Sequence, residues 1–259
     1  MAEPIFNLSR VRPAIKPFRL YFFRRLRSTS DHAARLRKSG DLYAPAAVLT
    51  SRQIAGRGRG ANTWWSNPGV LTVTFALPIH ERLPPQQLPL IAGLALREAA
   101  AQLSGNDRIQ LKWPNDLLLE DRKLAGLLCE RVSNVDLVGV GLNVNVDAAD
   151  APRDLRERIT SLMQIAGKPF DMTDLLIAVA RQLHVTVRRR MELPFSAFAR
   201  EYSRHDALAG KMVSVTANHH EPAVSGRCEG IDNTGRLLVR QRGKVLPIIA
   251  GMVTILRRA

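Results

Sequence analysis

The chain has 259 residues, 46% of them hydrophobic, which excludes an intrinsically disordered chain and suits one sizeable domain plus a small one. No apolar run approaches the ~18 residues that a membrane-spanning helix needs, so no membrane partner is expected. The formal charge is +15 and the pI about 11, which points either to an anionic partner (nucleic acid or an acidic protein) or to a basic, solvated surface.

The N-terminal segment mixes short apolar pieces with Arg, Lys and Pro and lacks the pattern of a signal peptide, so it reads as a strand-bearing arm. Ser28 to Asp31 precede Ala33, Ala34 and Leu36, and Gly40 follows, which predicts a capped, short amphipathic helix. Val48–Thr50 reads as a strand leading into a Gly/Arg loop at 56–62, and Val70–Leu77 as a further strand. Residues 88–103 carry apolar side chains at helical period and end at Gly105. Ile109, Leu111 and Trp113 alternate with polar residues and stop at Pro114. Leu117–Leu119 and Leu124–Cys129 read as a hairpin, Val138–Val144 as an alternating strand, and 172–191 as a helix capped by Asp171. The expectation is an α/β (α+β) unit over 1–206, a mixed sheet with helices on one side. From 207 to 259 the runs 211–217, 223–231, 236–240, 245–249 and 252–256, separated by turn residues, predict a small β-barrel of SH3 size.

Cys129 and Cys228 lie far apart without CxxC spacing, and the six histidines lack metal-ligand spacing. Neither a disulfide framework nor a zinc site is expected, and a cytoplasmic location fits.

Three segments carry chemistry. In the first, Gly56, Gly58 and Gly60 alternate with Arg57 and Arg59, followed by Trp64 and Trp65. Glycines let backbone N–H groups approach an anion, and guanidinium offers a rigid fork to phosphate or carboxylate. The spacing is not that of a Walker A loop; a flexible surface loop or an RGG-like nucleic-acid segment is the alternative. In the second, KWPND over 112–116 gathers Lys112, Asn115 and Asp116 at a chain corner, with Lys123 and Gly126 in the next strand. Asp116 is a candidate Mg²⁺ ligand or a turn residue bonding its own backbone. In the third, GVGLNVN over 139–145 does not follow GxGxxG; its glycines mark close approach of backbone or ligand, and Asn143 is placed to read a base edge or cap the strand.

GRGR, KWPND…RKLAG and GVGLNVN, in this order and spacing, resemble biotin protein ligases, from Ser28 through Ile159-Thr160-Ser161-Leu162 to the C-terminal strands. The resemblance implies a class II synthetase-like mixed sheet with a small SH3-like C-terminal domain. It implies formation of biotinyl-5′-AMP from biotin and ATP with Mg²⁺, then transfer of biotin to a lysine of a biotin carboxyl carrier protein. On that resemblance Ser28, Thr29 and Gln53 hydrogen-bond the ureido ring, with Ser30 alongside at a position where the family often has Asn. Arg57 and the Gly58 backbone close the pocket, and Gly56 and Trp64 are further substrate-binding candidates. Arg59 pairs with phosphate, and Lys123 sits between the biotin carboxylate and the α-phosphate; these two are the catalytic candidates. Asn115, Asp116 and Asn143 face the nucleotide and its Mg²⁺, and Lys112 and Gly126 are further substrate-binding candidates. Gly60-Ala61-Asn62 departs from the family's Arg-Gly-Arg, and Ile159 stands where some members stack an aromatic on adenine. Too few residues precede Ser28 for the helix-turn-helix of repressor members, so no specific DNA binding is expected; a homodimer is compatible. A lipoate protein ligase of the same fold and a nucleic-acid-binding module are the alternatives.

Overall fold

The computed structural model describes residues 5–216 and 222–256. Its elements in chain order are α1 (Leu8–Ala14), β1 (Arg19–Leu26), α2 (Thr29–Lys38), β2 (Ala46–Gln53), β3 (Gly56–Arg57), β4 (Thr63–Trp64), β5 (Val70–Pro78), α3 (Leu88–Ser104), β6 (Gln110–Lys112), β7 (Asp116–Leu119), β8 (Arg122–Val132) and β9 (Val135–Asn143). There follow α4 (Leu162–Ala166), α5 (Met172–Glu192), α6 (Phe195–Ser203), β10 (Met212–Thr216), β11 (Val224–Ile231), β12 (Leu237–Gln241), β13 (Lys244–Ile248) and β14 (Met252–Ile255). Seven strands form one mixed sheet in the order β1-β2-β5-β9-β8-β7-β6, with β1 and β2 parallel and joined through α2. The last five form an antiparallel sheet, β13-β12-β11-β10-β14. The expected first strand there runs to Ala217, which lies outside the described residues. No helix among the described residues is long and apolar enough to cross a membrane.

The local signals work through ordinary chemistry. Ser28 accepts from the Asp31 N–H at the start of α2, and Asp171 accepts from the N–H groups of Thr173 and Asp174 at the start of α5. Basic Arg35, Arg37 and Lys38 close α2, where the helix dipole favours them. Gly105, at φ 65°, ends α3. Glu120 and Asp121 turn the β7–β8 hairpin with φ of 52° and 60°, the left-handed pair that a tight two-residue turn requires.

Two expectations are corrected. The N-terminal arm begins with a helix before its strand: Asn7 caps α1 by accepting from the Arg10 N–H, and Val11 is buried. Pro13 reads as a breaker in sequence but sits near the end of this helix. Second, helices cover both faces of the large sheet. Ala46 and Val48 of β2, with Ala76 and Leu137, pack on Ala33 of α2. Ala47 and Leu49, with Leu71, Val73 and Phe75, pack on the other side with α3 and α5. The central strands are therefore buried on both faces, and Gly139 and Gly141 of β9 mimic a half-exposed alternation only because they are small.

The larger core continues without a break into the C-terminal sheet through Val213, Val215, Cys228, Leu237 and Val239. Trp113 Nε1 donates to the Gly235 carbonyl at 3.0 Å across the junction, and the backbone of Leu111 exchanges bonds with His205 and Ala207.

Candidate active site

The α2 face of the sheet carries a line of features along β9. Residues 139 and 141 lie on one face, about 7 Å apart by strand geometry. A Cβ on Gly139 would stand 2.6 Å from Ser30 Oγ, and one on Gly141 would stand 2.4 Å from the Trp64 indole. Cross-strand from Gly141 is Gly126, where a Cβ would meet both Lys123 and Trp64 at about 3.1–3.2 Å. These three glycines form a floor on which other side chains rest directly.

At the Gly139 end is a buried hydroxyl–amide network. The Thr29 N–H donates to Gln53 Oε1 at 2.8 Å, and Thr29 Oγ1 lies 3.3 Å from the same oxygen. Thr74 Oγ1 donates to Thr29 Oγ1 at 2.9 Å and lies 3.1 Å from Ser30 Oγ. Ser28, Thr29, Ser30, Gln53 and Thr74 are all buried. Because Gln53 Oε1 faces an N–H, its Nε2 remains as a donor. Thr74 was absent from the sequence reading; a threonine in the apolar run 70–77 is its only signal.

Trp64 lies in the middle, half-buried on the glycine floor, with the Lys123 ammonium 5.6 Å from its ring centroid. Its Nε1 is buried and unpartnered among the described residues. The neighbouring Trp65 packs instead, as does Leu155, on the cluster of Ala148, Ala151 and Ile159.

The far end is cationic. Lys123 Nζ sits 2.8 Å from Asp116 Oδ1. Burial pushes the Lys112 ammonium below the usual lysine range, Asp116 opposes this, and Lys123 and Arg158 add to it. The backbone of Lys123 is held by Arg158 and Thr160 (2.7 and 3.0 Å). Asn143 donates to the carbonyls of Thr160 (3.0 Å) and Lys123 (3.3 Å), fixing this corner.

Not every expected residue points into the groove. Arg57 is clasped by acids: its Nε lies 2.6 Å from Asp31 Oδ1, and it donates to both oxygens of Glu130 at 3.1 and 2.7 Å. The Glu130 bonds push its pKa further above the ordinary guanidinium value. Arg59 donates to the Gly251 carbonyl of the C-terminal sheet at 3.1 Å. Asn115 donates to the Leu127 carbonyl at 2.6 Å and so ties β7 to β8. Gly56 is packed too tightly against Gln53 and Trp64 for a side chain, and Gly58 donates to the Asn62 carbonyl at 2.8 Å. Asn62 in turn donates through its amide to the Arg59 carbonyl at 2.9 Å.

The donor set fits a metal that arrives with its own ligands. Asp116 is one half-buried carboxylate already paired with Lys123, and no group of three His, Cys, Asp or Glu side chains converges among the described residues. That suits Mg²⁺ carried on phosphates, which takes one or two carboxylates from protein.

Comparison with known proteins agrees with this geometry. The model of the biotin/lipoate A/B protein ligase family matches residues 22–147. The biotin–[acetyl-CoA-carboxylase] ligase of Paracoccus denitrificans is 30% identical over 232 residues, covering 83% of this chain and 92% of the relative. The bifunctional ligase/repressor BirA of Escherichia coli is 28% identical over 231 residues, covering 85% of this chain and 69% of the relative. Among solved structures, the biotin protein ligase from Aquifex aeolicus in complex with biotin and ATP superposes with a TM-score of 0.81 at 28% identity, covering 92% of this chain and 99% of that one.

Proposed function

The chain belongs to the biotin protein ligase family, and from this premise we propose how its groove makes and transfers biotinyl-5′-AMP. The activity is that of an ATP-dependent biotin ligase acting on a biotin carrier protein. One observation carries the assignment of the groove: a buried neutral polar network, an indole over a glycine floor and a cationic end lie in line. Biotin has the same order of parts: a neutral ureido ring, an apolar chain and a carboxylate.

In this reading Ser28, Thr29, Ser30 and Gln53 receive the ureido ring, and Gln53 Nε2 donates to its carbonyl. Trp64 lies along the chain. Lys123 leaves Asp116 to bridge the biotin carboxylate and the α-phosphate. The carboxylate oxygen attacks the α-phosphorus in line, the bond to the β-phosphate oxygen breaks, and pyrophosphate leaves with the electron pair. The carrier lysine, as free amine, then attacks the acyl carbon and AMP departs. The protein positions reactants and offsets charge developing on phosphate, so no protein nucleophile is required. Asp116 would be the protein carboxylate that holds Mg²⁺ arriving with the nucleotide, which would supply further charge neutralisation. Arg59 reaches phosphate once it leaves Gly251, and Lys112 and Asn143 complete the nucleotide side.

The same reading assigns residues 1–206 to the ligase unit and 207–259 to the C-terminal unit, and locates the reaction in the cytoplasm, supported by two free cysteines. The unpaired outer edge of β1 leaves room for a second copy. Mass spectrometry of a biotin carrier domain after incubation with ATP, and with biotin or lipoate, tests the assignment. A biotin adduct on one lysine is expected; a lipoyl adduct alone, or no adduct, overturns it.

A further inference from the structure

We propose that Arg158 is a third phosphate-binding cation of the active site, acting with Lys112 and Lys123 on the β- and γ-phosphates of ATP and on the departing pyrophosphate. The inference rests on the ligase reading and adds a residue that the sequence motifs do not contain.

Position is the first support. Arg158 precedes Ile159, which forms a parallel bridge with Lys123, and the Arg158 carbonyl accepts the Lys123 N–H at 2.7 Å. Its backbone is thereby fixed beside the residue at the centre of the cationic end, while its side chain is exposed. Charge is the second. The positive charges of Lys123 and Arg158 both act on Lys112, and Asp116 is the one carboxylate in ion-pair contact with any of the three among the described residues. Two positive charges are uncompensated there. A half-buried lysine beside two further cations is unfavourable until a polyanion arrives, and a nucleotide triphosphate is such a polyanion.

The third support is what the Gly/Arg loop withholds. Its second arginine, Arg59, is bonded to Gly251, and Arg57 to Asp31 and Glu130. Asn62 has no charge, and its amide closes the turn on Arg59. The loop therefore brings no free guanidinium to the cationic corner in this conformation. Arg158 reaches the same corner from the segment after β9, and a guanidinium binds two phosphate oxygens at once.

The test compares wild type, Arg158→Ala, Arg158→Lys and Arg153→Ala, the last removing an exposed charge from the same segment outside the site. ATP–pyrophosphate exchange with biotin gives KM for ATP and for pyrophosphate, and transfer from supplied biotinyl-5′-AMP isolates the second half-reaction. For Arg158→Ala both KM values should rise about tenfold, the scale of one charge-assisted hydrogen bond. Lysine should restore part of the loss. Arg153→Ala should behave as wild type, and transfer from biotinyl-5′-AMP, which has only the α-phosphate, should be unchanged in every variant. Unaltered KM values in Arg158→Ala, or an equal loss in transfer from biotinyl-5′-AMP, would overturn the inference. If wild type itself shows no biotin-dependent exchange, the ligase reading fails with it, which separates the two failures.

Discussion

The ammonium of Lys123 and the carboxylate of Asp116 face each other at 2.8 Å, so each neutralises the other in the groove. In the proposed mechanism Lys123 exchanges this contact for the biotin carboxylate and the α-phosphate. Lys123→Ala should lower biotinyl-5′-AMP formation by ~10²–10³, the cost of losing one preorganised charge at the reacting phosphate. Circular dichroism should show the fold retained. Near-normal pyrophosphate release would remove Lys123 from the chemistry.

Gly141 offers a structural prediction. A methyl there would stand 2.4 Å from the Trp64 indole, and the ring is rigid. Gly141→Ala should displace Trp64, altering tryptophan emission, and should cost roughly 1–3 kcal/mol as an overpacked site. Biotin affinity should fall with it. Unchanged emission and affinity would mean that the floor does not set the position of the ring.

Asn62 offers a test of how firmly the intermediate is held. Because a neutral amide stands where the family commonly places a guanidinium, biotinyl-5′-AMP should dissociate faster here than from relatives with Arg-Gly-Arg. Asn62→Arg should slow release, by about tenfold for a gain of ~1.4 kcal/mol. Part of that gain is offset by losing the amide bond to the Arg59 carbonyl. Release measured by rapid dilution decides it; equal lifetimes in the two proteins would exclude Asn62 as the missing clamp.

The charge of +15 predicts different salt responses for the two half-reactions. Encounter with an acidic carrier is steered over distances that ~0.1 M salt screens, since the Debye length there is about 10 Å. Raising ionic strength should slow carrier biotinylation more than adenylate formation. Equal slowing of both would assign the charge to a solvated surface.

Asp206 gives a pH dependence. Burial pushes its carboxyl up to about 6, against the lowering effect of the Leu208 and Ala209 N–H groups and Lys211. The folded chain therefore holds this proton more tightly than the unfolded chain does. Its stabilising effect is full below about pH 4 and is lost as pH rises through about 6. Asp206→Asn keeps an acceptor for the Leu208 N–H and removes the titration. Unfolding free energies of the variant should fall less than those of wild type between pH 4 and 7, by at most about 3 kcal/mol. Parallel curves for the two proteins would show that Asp206 titrates normally.

What could be read in the sequence was local. Ser28 and Asp171 announce their helices because a cap needs only a side-chain oxygen and the next three N–H groups. Gly105 and the β7–β8 turn are legible for the same reason. Trp64, Asp116, Lys123, Gly126 and Asn143, drawn from all three motifs, meet at one groove, while what each does there is the proposal made above. The partners of Arg57, by contrast, lie 26 residues upstream and 73 downstream, a pairing set by how α2 and β8 meet over the sheet. The bond from Arg59 to Gly251 spans 192 residues. Thr74 was hidden because a threonine inside an apolar strand looks like ordinary β-branched filling, and α1 because Pro13 reads as a stop. The helices on both faces were missed because glycines in β9 look like gaps in burial when they are places of closest packing.

With Arg59 in its proposed role at phosphate, its bond to Gly251 would make nucleotide capture a competition. The nitrogen that donates to the Gly251 carbonyl would have to give up that bond to serve a phosphate, so on this proposal ATP displaces a tenant already in place. Its measured affinity is then the intrinsic affinity reduced by the fraction of molecules in which Arg59 has let go. Anything that stiffens or loosens the chain around Gly251 would shift the apparent KM for ATP without touching a single residue of the groove.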